Sequence, residues 1–347
     1  MERPKTRTVY RRNASKPNTL ELLSEPLKPL KATEILIRVH TVSLNYRDIN
    51  ILRGTNPWPT SDNGVPCSDA AGEVTAIGAE VTRFKVGDRV SPILDQKSIT
   101  GQEQSREWLG GEVDGILADH VIFPEEKVVL IPGHLSWAEA ACLPCAGLTA
   151  WSALAVGGEL VAGKTVLIQG TGGVSLMGLK LAIAVGCKVI ITSSSDAKLD
   201  KVREMAGGKK ISTVNYSKTL DWEREVLRLN GGRGVDIVFE NGGSSSLMKS
   251  IAATTKRGII SQIGYLGQQD PKDLNGLISL LIDRTVTLRG INVGSRLEFE
   301  AMNRVIDANE MNFEDIIDKT FSFDQAEEAF KYLKSQQHVG KVVIVIQ

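Results

Sequence analysis

Hydrophobic and polar positions form short strand-like runs in the first third of the chain. Residues 6–12, 34–42, 71–77, 88–91 and 117–122 are β-branched or alternating segments set off by Gly and Pro. That spacing, with little helical periodicity, predicts an antiparallel, barrel-like domain. Residues 96–115 are polar and aperiodic and are expected to form a surface lobe or loop. From residue 137 onward the pattern changes. Apolar runs at 165–169, 188–192, 234–239, 258–263 and 286–290 alternate with helical stretches, which predicts a doubly wound parallel sheet with ligands at the carboxyl ends of its strands. An amphipathic helix over 323–333 and a strand over 340–346 are expected to return to the first domain. The fold class is α/β, divided into residues 1–137 with 297–347 and residues 138–296.

The densest signal is the stretch from Thr165 to Lys198, where a strand feeds a glycine turn, the turn opens an apolar helix and a second strand follows. Gly170, Thr171, Gly172, Gly173 and Val174 let backbone N–H groups approach a pyrophosphate at a helix N-terminus. Ser175 stands where the third glycine of G-x-G-x-x-G would be. The second strand ends in Thr192, Ser193, Ser194 and Ser195 rather than in the carboxylate that holds a ribose 2′-hydroxyl. Hydroxyls and Lys198 suit a 2′-phosphate, so NADPH is the expected cofactor. Asp196 is expected to cap a helix starting near Ala197. An ordinary tight turn and a serine cap are the bland alternatives.

Composition narrows the partners. The chain has 347 residues, 42% hydrophobic and 24% charged, with 41 basic and 41 acidic side chains. A length of this kind suits two domains, and the balanced charge offers no reason to expect nucleic acid. No apolar run reaches the roughly 20 residues of a membrane span, and neither a membrane partner nor a secretion signal is expected. The basic residues near the N-terminus raise a mitochondrial presequence, but Pro4 and Pro17 oppose a long amphipathic helix, so a cytoplasmic protein is expected. Four cysteines are too few for a disulfide framework, and Cys67, Cys142 and Cys187 read as buried packing residues. The pair Cys142 and Cys145 has no companion pair or nearby His to complete a zinc site.

The segments 43–48, 68–74, 84–90 and 143–151, the glycine turn, 232–236 and 338–344 together resemble the medium-chain dehydrogenase/reductase superfamily, within it the zinc-independent, quinone oxidoreductase-like branch. The resemblance implies a GroES-like, β-barrel-type catalytic domain wrapped around a Rossmann domain, with the active site in the cleft between them, and commonly a homodimer. It maps Thr149 near the nicotinamide, Tyr216 beside the 2′-phosphate, and Asn241, Gly264, Val293, Gly294 and Ser295 onto later strand ends facing the cofactor. The zinc-ligand positions of the alcohol dehydrogenases fall on Asn45, Ser68 and Cys145. One thiolate cannot make a three-ligand catalytic site, so no functional metal is expected.

Without a metal, hydride transfer relies on orientation and on hydrogen bonds to the developing oxyanion, which suits conjugated acceptors. The expected activity is reduction of a small-molecule quinone or α,β-unsaturated carbonyl. Asn45 and Tyr46 are the candidate catalytic residues, although a turn-forming Asn and a packing Tyr explain the same types. Arg47 occupies the place of the usual relay hydroxyl, and Asn56 that of a Tyr found in some enoyl-thioester reductases. Trp58 is a candidate aromatic wall for a flat substrate. A zinc-free carbonyl reductase or alcohol dehydrogenase is the first alternative, and an NADPH-binding sensor or structural protein the second.

Overall fold

The computed structural model describes residues 3–155 and 162–346. The chain divides into two units, Met1–Leu148 with Val293–Gln347, and Thr149–Asn292. The first boundary falls later than 137/138 because the helix and π-helical turn after Ser136 pack on strands of the first unit. The second falls earlier than 296/297.

The first unit begins with β1 (Thr6–Arg12) and β2 (Leu20–Pro26), a two-stranded antiparallel ribbon. β3 (Glu34–Leu44) is followed by the short helix α1 (Tyr46–Leu52), then β4 (Asp69–Ile77), β5 (Arg89–Pro92), β6 (His120–Pro124), β7 (Val128–Leu130) and α2 (Trp137–Ala141). The helix α3 (Leu148–Leu154) crosses the boundary. The second unit contains β8 (Thr165–Gln169), α4 (Gly173–Ala184), β9 (Lys188–Ser193), α5 (Asp196–Met205), β10 (Ser212–Asn215), α6 (Trp222–Leu229), β11 (Val235–Glu240), α7 (Ser244–Ala253), β12 (Thr254–Gln262), α8 (Leu277–Arg284) and β13 (Thr287–Gly290). The chain then returns to the first unit with α9 (Arg296–Ala308), β14 (Ile317–Ser322), α10 (Ala326–Lys334) and β15 (Lys341–Val345).

In the first unit the sheet runs β14-β15-β3-β4-β5-β7, with β6 also on β3. Alternation on β3 turns Ile35, Ile37 and Val39 into a core shared with Val74, Val342 and Ile344. The long β3 is the hub, and its last residues carry the chain into α1. The lobe at 96–115 is less superficial than its polarity predicted, because Gln96, Trp108 and Leu109 are buried. Trp108 satisfies its indole N–H on Asp95 at 3.2 Å.

The second unit is a six-stranded parallel sheet in the order β10-β9-β8-β11-β12-β13. The chain leaves β8 in one direction and resumes at β11 in the other, which makes the β8/β11 junction the switch point where such sheets bind ligands. Strands buried on both faces explain the continuous apolar runs Val166–Ile168 type rather than alternation: Leu167, Ile190, Val214, Val238 and Ile260 all lie in one core. No helix among the described residues is long and apolar enough to cross a membrane.

Candidate functional site

The carboxyl edge of the second unit collects the predicted cofactor residues. Gly170 has φ +77°, a conformation that favours glycine, and its N–H donates to Thr192 O at 2.8 Å, tying the turn to β9. Gly172 is the N-cap of α4 and offers no side chain to cap it, so the first-turn N–H groups of Gly173, Val174 and Ser175 lack an intrahelical acceptor. A Cβ built at Gly172 meets nothing within 4 Å, so the space in front of that helix end is open. Roughly half a positive charge from the helix dipole adds to this concavity, and it fits a pyrophosphate. Thr171 is buried beside it, and Thr149 is buried in the first turn of α3.

Ser175 does not leave a gap where a glycine was expected. Its hydroxyl donates to Gln169 O at 2.8 Å, and Asn241 Nδ2 donates to the same carbonyl at 2.8 Å. Close packing of helix on sheet falls instead to Gly178, which sequence reasoning missed. A Cβ there would stand 2.4 Å from Phe239 Cε2. The signal was a glycine one helical turn inside an otherwise apolar helix.

β9 delivers Ser193, buried, and Ser194, exposed, to the same edge. Asp196 is not the N-cap of α5. Ser195 is, accepting from Lys198 N, and Asp196 is the first helical residue. The one-residue slip frees the Asp196 carboxylate to accept from Asn215 Nδ2 at 2.7 Å and to pair with Lys218 Nζ at 2.5 Å, which holds its pKa below the usual range. Tyr216 follows β10 with its ring exposed and its N–H on Ser193 O at 3.0 Å. Gly264 lies past β12, with its N–H on Glu240 O at 3.3 Å. The structure therefore brings Gly170, Ser193, Tyr216, Asn241 and Gly264 to one sheet edge. Val293, Gly294 and Ser295 belong to the first unit, where Ser295 caps α9 in a capping box with Glu298.

Behind that edge lies a second feature the sequence reading did not find. The buried Glu240 carboxylate accepts from Gln169 Nε2 at 2.7 Å, Ser246 Oγ at 2.5 Å, Gly242 N at 2.8 Å, Gly243 N at 3.1 Å and Ser250 Oγ. Gln169 Oε1 in turn accepts from Asn241 N at 2.9 Å.

In the first unit, Asn45 and Tyr46 sit at the junction of β3 and α1. Asn45 is the N-cap; its N–H donates to Asp48 Oδ2 at 2.8 Å. Tyr46 is partly exposed, at 37%. Lys341, only 2% exposed, donates from Nζ to Asn45 Oδ1 and to Leu44 O, both at 2.6 Å. Asp69 is fully buried, accepting from Ser68 Oγ at 2.6 Å and Cys145 N at 3.0 Å. Burial raises its pKa, opposed by the Lys341 charge. Arg47 donates to Leu109 O at 2.9 Å and lies 3.6 Å from Asp48 Oδ1. Trp58 is 38% exposed and meets Trp108 edge to face at 5.0 Å. Of the cysteines expected to pack, Cys67 and Cys142 are buried and Cys187 is half-buried.

The residues at the zinc positions do not fit zinc. Asn45 Oδ1 faces an ammonium and the Ser68 hydroxyl is directed to Asp69, which leaves Cys145 as the one sulfur ligand of the three positions. Zinc needs three protein ligands and a thiolate where sulfur binds. Among the described residues no group of three His, Cys, Asp or Glu side chains is placed to hold a metal.

Burial raises the Asp48 pKa to about 6, with Arg47 opposing. The folded state therefore holds this proton more tightly than the unfolded chain, whose Asp titrates near ~4. The favourable contribution is complete below ~4 and is lost as pH rises through about 6. Asp48→Asn keeps an acceptor for Asn45 N–H and removes the buried charge. It is expected to raise stability at pH 8 by about 1–2 kcal/mol and to flatten the dependence between pH 4 and 6. Urea unfolding at pH 5 and pH 8 checks this; a variant less stable than wild type at pH 8 contradicts it.

Comparison with known proteins agrees with this architecture. Residues 31–133 match the alcohol dehydrogenase GroES-like domain and residues 173–308 the zinc-binding dehydrogenase family. The chain is 38% identical over 323 residues to a zinc-type alcohol dehydrogenase-like protein of Schizosaccharomyces pombe, covering 91% of this chain and 92% of that one. It is similar to the crystal structure of a Sinorhizobium meliloti 1021 protein described provisionally as an alcohol dehydrogenase, with 36% identity and TM-score 0.88 over 99% of this chain and 100% of that chain. A solved NAD-dependent alcohol dehydrogenase is 25% identical with TM-score 0.86, over 98% and 100% of the two chains. With both domain models in order and a relative of this likeness along nearly its whole length, the chain belongs to the medium-chain dehydrogenase/reductase superfamily of oxidoreductases.

Proposed function

We propose that this protein is an NADPH-dependent reductase of quinones or α,β-unsaturated carbonyls that works without a metal. The observation that carries this reading is the occupation of the zinc positions by Asn45 bound to Lys341, Ser68 bound to Asp69, and a single sulfur ligand, Cys145. With no Lewis acid, charge developing on the acceptor has to be spread by the acceptor itself and met by hydrogen bonds, and an enone or quinone does the first. When bound, the nicotinamide supplies hydride from C4.

The Gly170 turn and the α4 N-terminus hold the pyrophosphate. Ser193, Ser194 and Lys198 would hold the 2′-phosphate, with Tyr216 a further contact, and the Asp196 carboxylate is paired with Lys218 and accepts from Asn215. Asn45 is the polar contact for the nicotinamide ribose or the substrate oxygen, the Tyr46 hydroxyl a donor to that oxygen, and Trp58 offers a face to a flat ring. A homodimer belongs to the same reading: β13 is an outer strand, and α8 before it exposes Ile278 and Ile282, at 73% and 71%.

The test is product analysis with NADPH and 2-cyclohexenone, assayed with a zinc chelator present. The saturated ketone is expected. An allylic alcohol would favour carbonyl reduction, the reading to which the names of the alcohol dehydrogenase relatives point, and loss of turnover on chelation would overturn the metal-free mechanism.

A further inference from the structure

Beside Trp58 stands a guanidinium whose fork is open. Trp58 lies in the loop after α1, and Arg106 and Trp108 lie in the lobe at 96–115, so the three meet only in the fold. Trp58 and Trp108 pack with ring planes 76° apart. Arg106 Cζ lies over both rings, 4.3 Å from the centre of Trp108 and 5.7 Å from that of Trp58, within reach of a cation–π attraction. Trp108 is the buried floor of this group, and the partly exposed ring of Trp58 is the face open to a ligand.

A surface arginine ordinarily samples many rotamers, and fixing it costs conformational entropy. Arg106 is fixed twice, by its stack on Trp108 and by its Nε, which donates to Glu112 Oε1 at 2.9 Å. Glu112 is tied down in turn, its Oε2 accepting from Trp108 N at 3.1 Å. The carboxylate holds the guanidinium by its side and leaves its end uncovered. The two terminal NH2 groups make no hydrogen bond among the described residues, and neither is shut off from solvent. Arg47, the other cation beside Trp108, is committed inward, to Leu109 O and Asp48. Arg106 is therefore the guanidinium of this group with donors to spare.

The open end of a guanidinium offers two parallel N–H groups that match the two oxygens of a carboxylate. Glu112 repels any anion placed there, and a dianion twice as strongly as a monoanion, so a carboxylate suits the place better than a phosphate. We propose that the preferred acceptor of this protein carries a carboxylate, gripped by the terminal NH2 groups of Arg106 while its flat conjugated part lies against Trp58. The inference rests on the reading of the protein as a quinone or enone reductase with Trp58 as its aromatic wall, and it names the class of acceptor.

The test compares 4-(3-oxobut-1-enyl)benzoate with its methyl ester, two flat enones that differ in one charge, in the full chain with NADPH. Wild type is expected to favour the acid about 10-fold in kcat/KM. An ester reduced as efficiently as the acid overturns the proposal with no variant needed. Arg106→Gln is expected to bring the acid-to-ester ratio within about 2-fold of one, through a raised KM for the acid, at a melting temperature that shows the protein folded. A variant that slows both acceptors alike and keeps the ratio makes Arg106 a packing residue and overturns the proposal. Calorimetric titration without NADPH reads the same preference independently of turnover: the acid is expected to bind about 10-fold more tightly than the ester, and the phosphonate analogue less tightly than the acid. A phosphonate bound more tightly than the acid overturns the carboxylate assignment. Turnover of neither acceptor beside an intact affinity preference would sink the reductase reading and keep the Arg106 site, and turnover of both with no preference would do the reverse.

Discussion

Gly178→Ala is expected to destabilise the protein by about 3 kcal/mol, a large effect for one methyl group. The added Cβ would lie 2.4 Å from Cε2, 3.1 Å from Cζ and 3.2 Å from Cδ2 of Phe239. The ring cannot give way, since Phe239 is fully buried in β11, so α4 itself has to lift from the sheet. In the proposed reading the N-terminus of α4 cradles the pyrophosphate, so NADPH affinity is expected to fall together with stability. Denaturant unfolding and cofactor titration measure both. Phe239→Leu in the Gly178→Ala background should recover part of the loss, and a Gly178→Ala protein as stable as wild type would show that the helix has room to spare.

Ser193→Asp is expected to weaken NADPH by at least about 100-fold and NADH far less. At an effective dielectric of ~20, two unit charges ~4 Å apart repel by about 4 kcal/mol, and the 2′-phosphate carries more than one. Ser193 is buried at the end of β9, with Tyr216 N–H on its carbonyl, so a carboxylate placed there has little freedom to turn away. Kd values for both cofactors decide the matter: equal losses would place the 2′-phosphate elsewhere and return the cofactor to an open choice between NADPH and NADH.

How far the chain could be read depended on whether the cause of each feature was local. The strand-turn-helix-strand of β8, α4 and β9 is self-contained, and β8 has the bounds its apolar run predicts, Thr165–Gln169. β10 was invisible as a strand because only Val214 of its four residues is buried. β7, three residues long, and the polar alternation of β2 carry too little pattern to separate them from loop. The Ser195 cap was missed by one position because Ser and Asp are equally good caps, and the competition was settled by Asn215 and Lys218 drawing Asp196 away.

The catalytic candidates show the same divide. Asn45 could be picked out by resemblance, but its partner Lys341 lies at the other end of the chain and is brought in by the pairing of β15 with β3. Gly178 differs from the turn glycines in that nothing near it in sequence names Phe239. Long-range partners of this kind leave a residue type at a position, such as a lysine at the head of an apolar strand, but not its reason.

The Glu240 cluster bears on the cost of ligand capture. β8 and β11 part company at the switch point, and a crevice between diverging loops is the place where a free protein would be expected to slacken. Here one dehydrated carboxylate, gripped by Gln169, Ser246, Ser250 and the Gly242 and Gly243 amides, staples the two strand ends from beneath. In the proposed reading, strand ends cross-linked in this way before a dinucleotide arrives leave less ordering to be done when it binds.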